Sequence, residues 1–245
     1  MVLAAGLGTR LRPLTNDRPK ALVTVAGRTL LEITLRRLRA FGIREVIVNA
    51  HHFAERIVAY LEANENFGMH IELSIEPALL DTGGGLRNAA HFFLRDGGDE
   101  PFLLHNVDVI STINLAQMIR FHADEAALAT LAVAQRESSR YLLFDRSAQL
   151  CGRKAKKDAE PEIARPAEPL EPLAFAGIHV LSPRIFETMT EQGAFSIIDA
   201  YLRLAAQGEK ITAFRTDGAY WRDLGRPENI AAATRDVETG LITLG

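Results

Sequence analysis

Cysteine is nearly missing: Cys151 stands alone in 245 residues. That excludes an internal disulfide and leaves the thiol to be read as a small buried hydrophobe. No apolar run approaches the ~18–20 residues that a membrane span needs. The net charge of -3 is too balanced for a chain whose main partner is nucleic acid or an anionic membrane. The start at Met1 reads straight into a strand, without the charged n-region and apolar core of a secretory signal, so a cytoplasmic location is expected. There is no internal repeat and no hexapeptide series of the kind that builds a β-helix. What the chain has is 47% hydrophobic content, enough for a substantial core without metal or disulfide staples. Its length suits one large α/β domain or two small ones.

The hydrophobic pattern alternates through the first half. Helical stripes are predicted over 30–41, with Gly42 as the residue that ends the helix, and over 53–61 and 113–123. Strands are predicted over 45–49, 70–75, 101–105 and 127–134. Thr82-Gly83-Gly84-Gly85-Leu86 reads as a tight loop before a helix running to about Phe93. Strands separated by helices of this length imply βαβ units and a mainly parallel sheet, with substrates outside the carboxyl ends of the strands. The second half is expected to hold a smaller mixed β subregion, with strands over 141–144, 149–151, 174–180, 211–214 and 220–221. Ser182-Pro183 is predicted to open one helix and Pro227 another. Between these elements, residues 152–172 carry four of the ten prolines and a Lys154/Lys156/Lys157 cluster. That composition reads as a loop, either a flap over a substrate or a solvated insertion.

The opening segment 3–20, LAAGLGTRLRPLTNDRPK, is the most informative. Its glycines let backbone N–H groups approach a polyanion, and Arg10 and Lys20 supply charge to neutralise phosphate. It does not fit the Walker spacing, and a dinucleotide fingerprint would need a third glycine where Leu11 stands. Without a gap, the run resembles the LAAGxGxRxxPLTxxxPK signature of the sugar-1-phosphate nucleotidyltransferases. Two further segments are similar to that family. Phe102-Leu-Leu-His-Asn106-Val107-Asp108 resembles its hydrophobic strand ending in Gly-Asp, with Val107 in the glycine's place. Trp221-Arg222-Asp223-Leu224-Gly225-Arg226-Pro227-Glu228 resembles its W-x-D-[IV]-G-T-P-E segment, with Arg226 for threonine.

The resemblance implies a Rossmann-like, three-layer α/β/α fold in one domain over 1–245, with a nucleotide-binding half (1–135) and a sugar-binding half (136–245). It implies transfer of a nucleotidyl group from a nucleoside triphosphate to a sugar 1-phosphate, with release of pyrophosphate. Such a reaction joins two anions and calls for Mg²⁺ on about two carboxylates, helped by cationic side chains. Carried over residue by residue, Arg10 and Lys20 are catalytic and Asp108 and Asp223 hold Mg²⁺. Leu3, Ala4, Ala5, Gly6, Gly8 and Thr9 bind the nucleotide, as do Asp81, Thr82, Gly83 and Gly84, whose loop presses on the nucleobase. Asn106, Gly177 and Glu162 face the sugar, with Arg165 a stand-in for a family lysine. Taken singly, Asp108 and Asp223 also suit turn positions, and Asn106 suits either the sugar or the loop. His51 and His52, adjacent and so on opposite faces, are read as polar residues at a strand end.

The compact length and the TGGG segment are similar to N-acetylmuramate-1-phosphate uridylyltransferases. Mannose-1-phosphate guanylyltransferases, or enzymes for a related hexose or heptose 1-phosphate, are the alternative. Two readings from other classes are a catalytically weak nucleotide-sugar-binding regulatory protein, which Val107 favours, and a nicotinamide-binding oxidoreductase, which Leu11 disfavours. The expected partners are the two substrates, with no nucleic acid and no membrane, and the protein a monomer or homodimer.

Overall fold

The computed structural model describes residues 1–155 and 160–244. Lys156 and Lys157 of the predicted basic cluster lie outside the described residues. In chain order the strands are β1 (Val2–Leu3), β2 (Thr24–Val25), β3 (Arg28–Thr29), β4 (Glu45–Ala50), β5 (His70–Ile75), β6 (Phe102–Asn106) and β7 (Val109–Ser111). They continue as β8 (Ala129–Ala134), β9 (Tyr141–Phe144), β10 (Leu150–Lys154), β11 (Glu162–Ile163), β12 (Glu171–Leu181), β13 (Ile211–Arg215) and β14 (Trp221–Asp223). The helices are α1 (Leu30–Ala40), α2 (Ala54–Ala63), α3 (Asp81–Asn88), α4 (Ala90–Leu94), α5 (Leu115–Asp124), α6 (Ile185–Thr188), α7 (Ile197–Ala206) and α8 (Pro227–Glu238). No helix among the described residues is long and apolar enough to cross a membrane.

Two compact units interleave in sequence. The first comprises Met1–Asp81, His105–Ile113 and Tyr220–Gly245; the second comprises Thr82–Leu104 and Asn114–Ala219. In the first unit, β1 pairs in parallel with β4 through Val2↔Val48 and Leu3↔Asn49, and with the end of β6 through Val2↔His105 and Leu3↔Asn106. β4 pairs in parallel with β5 over its whole length. Val2, Ile47 and Val48 are fully buried in this sheet, as are Leu30, Leu31 and Leu35 of α1. Local signals set α1 at both ends. Thr29 caps it by accepting from Glu32 N–H at 3.0 Å, and Gly42 follows it at φ 86°, a left-handed position that costs glycine little. Parallel pairing sends the chain into a loop at one end of each strand. Ala4, His51, Glu76 and Val107 all follow the carboxyl ends of their strands, where ligands of such sheets sit.

The second unit holds a mixed sheet in the order β11–β10–β9–β12–β8–β13, antiparallel except for the parallel β8–β13 pair. The α/β class with a mixed sheet holds, its all-parallel part in the first unit. The second unit also corrects the sequence reading. Residues 82–85 are not a loop: they form the first turns of α3, and the helix breaks at Ala89 before α4. Segment 152–172 is strand at both ends, and its middle includes β11 paired antiparallel to β10. Ser182 and Pro183 form a turn ahead of α6, which starts at Ile185, because Ile185 N–H bonds Ser182 C=O.

Candidate active site

All the charged groups assigned to phosphate and metal lie in the first unit. β1 is only two residues long, and the chain leaves it into a loop whose amides are left open. Among the described residues, the backbone N–H groups of Ala5, Gly6, Leu7, Gly8, Thr9 and Arg10 donate to no protein acceptor. The next amide, Leu11, closes a turn onto Gly8 C=O at 2.9 Å. Successive free amides around a residue with positive φ form a concavity for anions, and Gly8 stands at φ 63°. A β-carbon there would lie 2.9 Å from Thr15 Cγ2 and 3.1 Å from Lys20 Cβ. Gly8 is therefore fixed by conformation and by space. Thr15 closes the loop by donating to Gly8 C=O at 2.9 Å. The Ala4 N–H, just before the open run, is taken by Asn49 Oδ1 at 2.7 Å.

Lys20 opens a short 3-10 turn, and its ammonium donates to Asp108 Oδ2. Asp108 sits in the two-residue turn between β6 and β7. Its neighbour Val109 is the ladder partner of Asp223 in the antiparallel β7–β14 pair, and Leu224 N–H donates to Asp108 C=O at 2.8 Å. Pairing of two three-residue strands thus brings together carboxylates far apart in sequence. Asp223 Oδ1 accepts from Gly225 N–H at 2.9 Å. Asp108 Oδ1 and Asp223 Oδ2 accept no hydrogen bond among the described residues. Carboxylate oxygens left over on two partly buried aspartates suit a hard divalent cation that takes one or two carboxylates and fills its shell with water and phosphate oxygens. A β-carbon on Gly225 would lie 2.9 Å from both Arg10 Nη2 and Asp223 Oδ1, so the guanidinium and the carboxylate converge on that backbone. Arg222 anchors β14 by donating to Asp236 Oδ2 of α8 at 2.7 Å.

Val107 fits without strain. It is buried, its φ is not positive, and its N–H donates to Leu3 C=O at 3.1 Å, so this turn does not need the family glycine. Asn106 ends β6 opposite Leu3. Preceding it, His105 is wholly buried and bonds Asn106 C=O through Nδ1 at 2.8 Å; burial lowers its pKa to about 4. On α1, burial likewise lowers the Arg37 pKa to about 10, and this guanidinium donates to Ile113 C=O. Sequence reasoning missed Asn49 and Glu76, both 2% exposed, and their signal is a polar side chain within or just after an apolar strand. His51 Nδ1 bonds Glu76 C=O at 2.8 Å, and His52 lies against Phe53. They are strand-end residues, as read.

The remaining assigned residues lie in the second unit, except Asp81, which ends the first. Gly83 and Gly84 donate their N–H groups to Phe195 C=O at 2.9 and 3.4 Å, and Thr82 Oγ1 accepts from Ile197 N–H at 2.9 Å. A β-carbon on Gly83 would lie 2.3 Å from the Phe195 ring. The absence of a side chain at Gly83 therefore serves close packing. Gly177, at φ 75°, sits in an irregularity of the β12–β8 ladder between Phe175 and His179. Glu162, exposed on β11, accepts from Arg153 Nε at 2.7 Å. The Arg165 guanidinium is held by Asp145 Oδ2 at 2.5 Å and by Cys151 Sγ at 3.3 Å.

The model of a family described as nucleotidyl transferase matches residues 1–240. An N-acetylmuramate alpha-1-phosphate uridylyltransferase of Caulobacter vibrioides is 35% identical, the match covering 97% of this chain and 96% of that protein. A mannose-1-phosphate guanylyltransferase of Mycobacterium tuberculosis is 30% identical over 98% of this chain, but the match covers 65% of the relative. This chain thus spans under two thirds of that longer protein. The crystal structure of HddC from Yersinia pseudotuberculosis superposes with a TM-score of 0.77 at 22% identity, covering 96% of this chain and 97% of that one, a likeness of fold. The chain belongs to the nucleotidyl transferase family. That family generally works with a divalent metal ion, and the free oxygens of Asp108 and Asp223 fit one.

Proposed function

We propose that this protein transfers a nucleotidyl group from a nucleoside triphosphate to a sugar 1-phosphate, using Mg²⁺, with UTP and N-acetylmuramate 1-phosphate as the pair. One observation carries the reading: the run of open amides from Ala5 to Arg10, flanked by the Arg10 guanidinium and the Lys20 ammonium. Such a run suits a triphosphate, whose charge needs fixed donors rather than a general base. An oxygen of the sugar phosphate attacks the α-phosphorus and forms the new P–O bond. The bond from the α-phosphorus to the bridging oxygen breaks, and its electron pair leaves with pyrophosphate. The open amides orient the triphosphate, Arg10 offsets charge on the departing pyrophosphate, and Lys20 donates to phosphate oxygens as well as to Asp108. Asp108 and Asp223 would hold Mg²⁺, which when bound neutralises phosphate charge as a Lewis acid.

The uridylyl and N-acetylmuramate assignment rests on the 35% identical relative, which matches this chain along nearly its whole length. The competing pair, GTP with mannose 1-phosphate, is supported by the guanylyltransferase relatives. The test is pyrophosphate release across a grid of triphosphates and sugar 1-phosphates, with Mg²⁺ and with chelator. A single Mg²⁺-dependent pair names both substrates. Folded protein that is silent across the grid, yet binds nucleotide sugars, would replace the enzyme by a regulatory binding protein.

A further inference from the structure

Beneath the phosphate loop runs a chain of buried hydrogen bonds that the chemistry of transfer does not use. Glu76 follows β5 and is 2% exposed, and no cationic side chain contacts its carboxylate among the described residues. A buried carboxylate is costly unless its lone pairs are filled by donors. Here neutral donors fill them from two sides. Asn49 Nδ2 donates to Oε1 at 2.7 Å, and Leu80 N–H donates to Oε2 at 3.1 Å. The other end of the Asn49 amide accepts from Ala4 N–H at 2.7 Å. The result is one line of hydrogen bonds that converges on Glu76, from the Ala4 amide through Asn49 on one side and from the Leu80 amide on the other. Its ends are the last amide before the open run and the last amide before Asp81, which opens α3.

We infer that Glu76, through Asn49, is a positioning residue for nucleoside triphosphate binding: it sets where the open amides begin and fixes the segment 76–80 in register with them. The inference rests on the proposed function of the loop and deepens it. The polarity of the line explains why the residue is a glutamate. Its carboxylate accepts at both oxygens, from Asn49 Nδ2 and from Leu80 N–H, and so holds the Asn49 amide with Nδ2 inward and Oδ1 at Ala4. A glutamine in the same space offers one acceptor and one donor. Its donor would then face either Asn49 Nδ2 or Leu80 N–H, and the Asn49 amide could not rotate to relieve this without releasing Ala4. A buried network with one unmatched member loses more than one bond, because its members orient one another.

The experiment compares full-length wild type with Glu76→Gln and Asn49→Ala. Steady-state kinetics give kcat and the KM of each substrate, and calorimetry gives the Kd of the triphosphate alone, with Mg²⁺ present. The expected result is a rise of about tenfold in the triphosphate KM and Kd, the scale of one broken buried hydrogen bond. The sugar phosphate KM and kcat should stay within about twofold. Amide exchange adds a readout that does not depend on turnover: Ala4 and Leu80 should be protected in wild type and lose protection in both variants. A lowered Tm with an unchanged triphosphate Kd would make the network merely structural and overturn the inference. Equal rises in both KM values would overturn it too. Wild type that binds no triphosphate would overturn the proposed function together with it, whereas wild type that binds while Glu76→Gln is indistinguishable would overturn only the positioning role.

Discussion

Lys20 and Asp108, 88 residues apart in sequence, form an ion pair between Nζ and Oδ2, their side chains only 13% and 15% exposed. Partial desolvation strengthens the attraction between them, and the pair places one fixed positive charge where the carboxylates converge. The ammonium can serve phosphate oxygens and Asp108 in turn, because it carries three donors and no acceptor.

Charge, not packing, is what these groups supply. Lys20→Met should lower kcat/KM by about 10²–10³-fold, the usual cost of one fixed charge-stabilising donor. Asp108→Asn and Asp223→Asn should remove most activity while thermal melts followed by circular dichroism shift by only a few degrees. A large fall in Tm with activity retained would mean that both aspartates are turn residues.

Gly8 carries two constraints at once, a left-handed φ of 63° and a neighbour, Thr15 Cγ2, only 2.9 Å from the position of a β-carbon. Gly8→Ala should cost about 1–2 kcal/mol in stability from the backbone alone, measured by urea denaturation. Its effect on the triphosphate KM should be larger, because the neighbouring open amides would be re-aimed. Adding Thr15→Ser removes the methyl group in the way and should restore part of the lost stability. No recovery would put the whole cost in the backbone angle.

How much of this was legible in the chain depends on distance along it. β5 and β9 match their predicted spans, and α1 and α8 stop or start where Gly42 and Pro227 say they should, because those signals lie within a few residues of the effect. β7 and β14 carry no such signal. Each is three residues long, and their pairing is decided by a partner over a hundred residues away. The motif resemblance picked out Asp108 and Asp223, but the ladder that sets Val109 against Asp223 came only from the structure. Val107 departs from the family pattern, yet its turn accommodates a β-branched residue because its φ is not positive. Asn49 shows in the sequence only as a polar residue in an apolar strand, and its partner Glu76 is fixed only once β4 and β5 align.

Helix α3 shows tertiary context overriding local preference. Three successive glycines are poor helix formers, yet they begin a helix. The Gly83 and Gly84 amides donate to Phe195 C=O, and the Phe195 ring occupies the space of a Gly83 side chain. Gly83→Ala, although a better helix former, should therefore destabilise by about 1–3 kcal/mol through overpacking. Phe195→Leu should recover part of that loss in a double-mutant cycle, with a coupling of about 1 kcal/mol. If Gly83→Ala stabilised the protein, as helix propensity alone dictates, the packing argument would fail.

Buried histidine sets a limit at low pH. His122 on α5 is 3% exposed, bonds Thr130 Oγ1 through Nδ1 at 2.9 Å, and has its pKa lowered by burial from 6.5 to about 4. Above pH 6.5 the ring is neutral both folded and unfolded, so it has no effect on stability. Between pH 6.5 and about 4 the unfolded chain binds the proton and the folded chain does not. Stability therefore falls as pH falls, by up to about 1.4 kcal/mol per pH unit from this ring. Below about pH 4 both states are protonated and the contribution levels off. His122→Gln keeps a polar group near Thr130 but cannot titrate. Its unfolding free energy, measured in urea from pH 7 to 4.5, should fall less steeply than that of wild type, with the two curves drawing together toward the acid end. Parallel curves would mean that the imidazole takes up its proton in the folded protein as readily as in the unfolded chain.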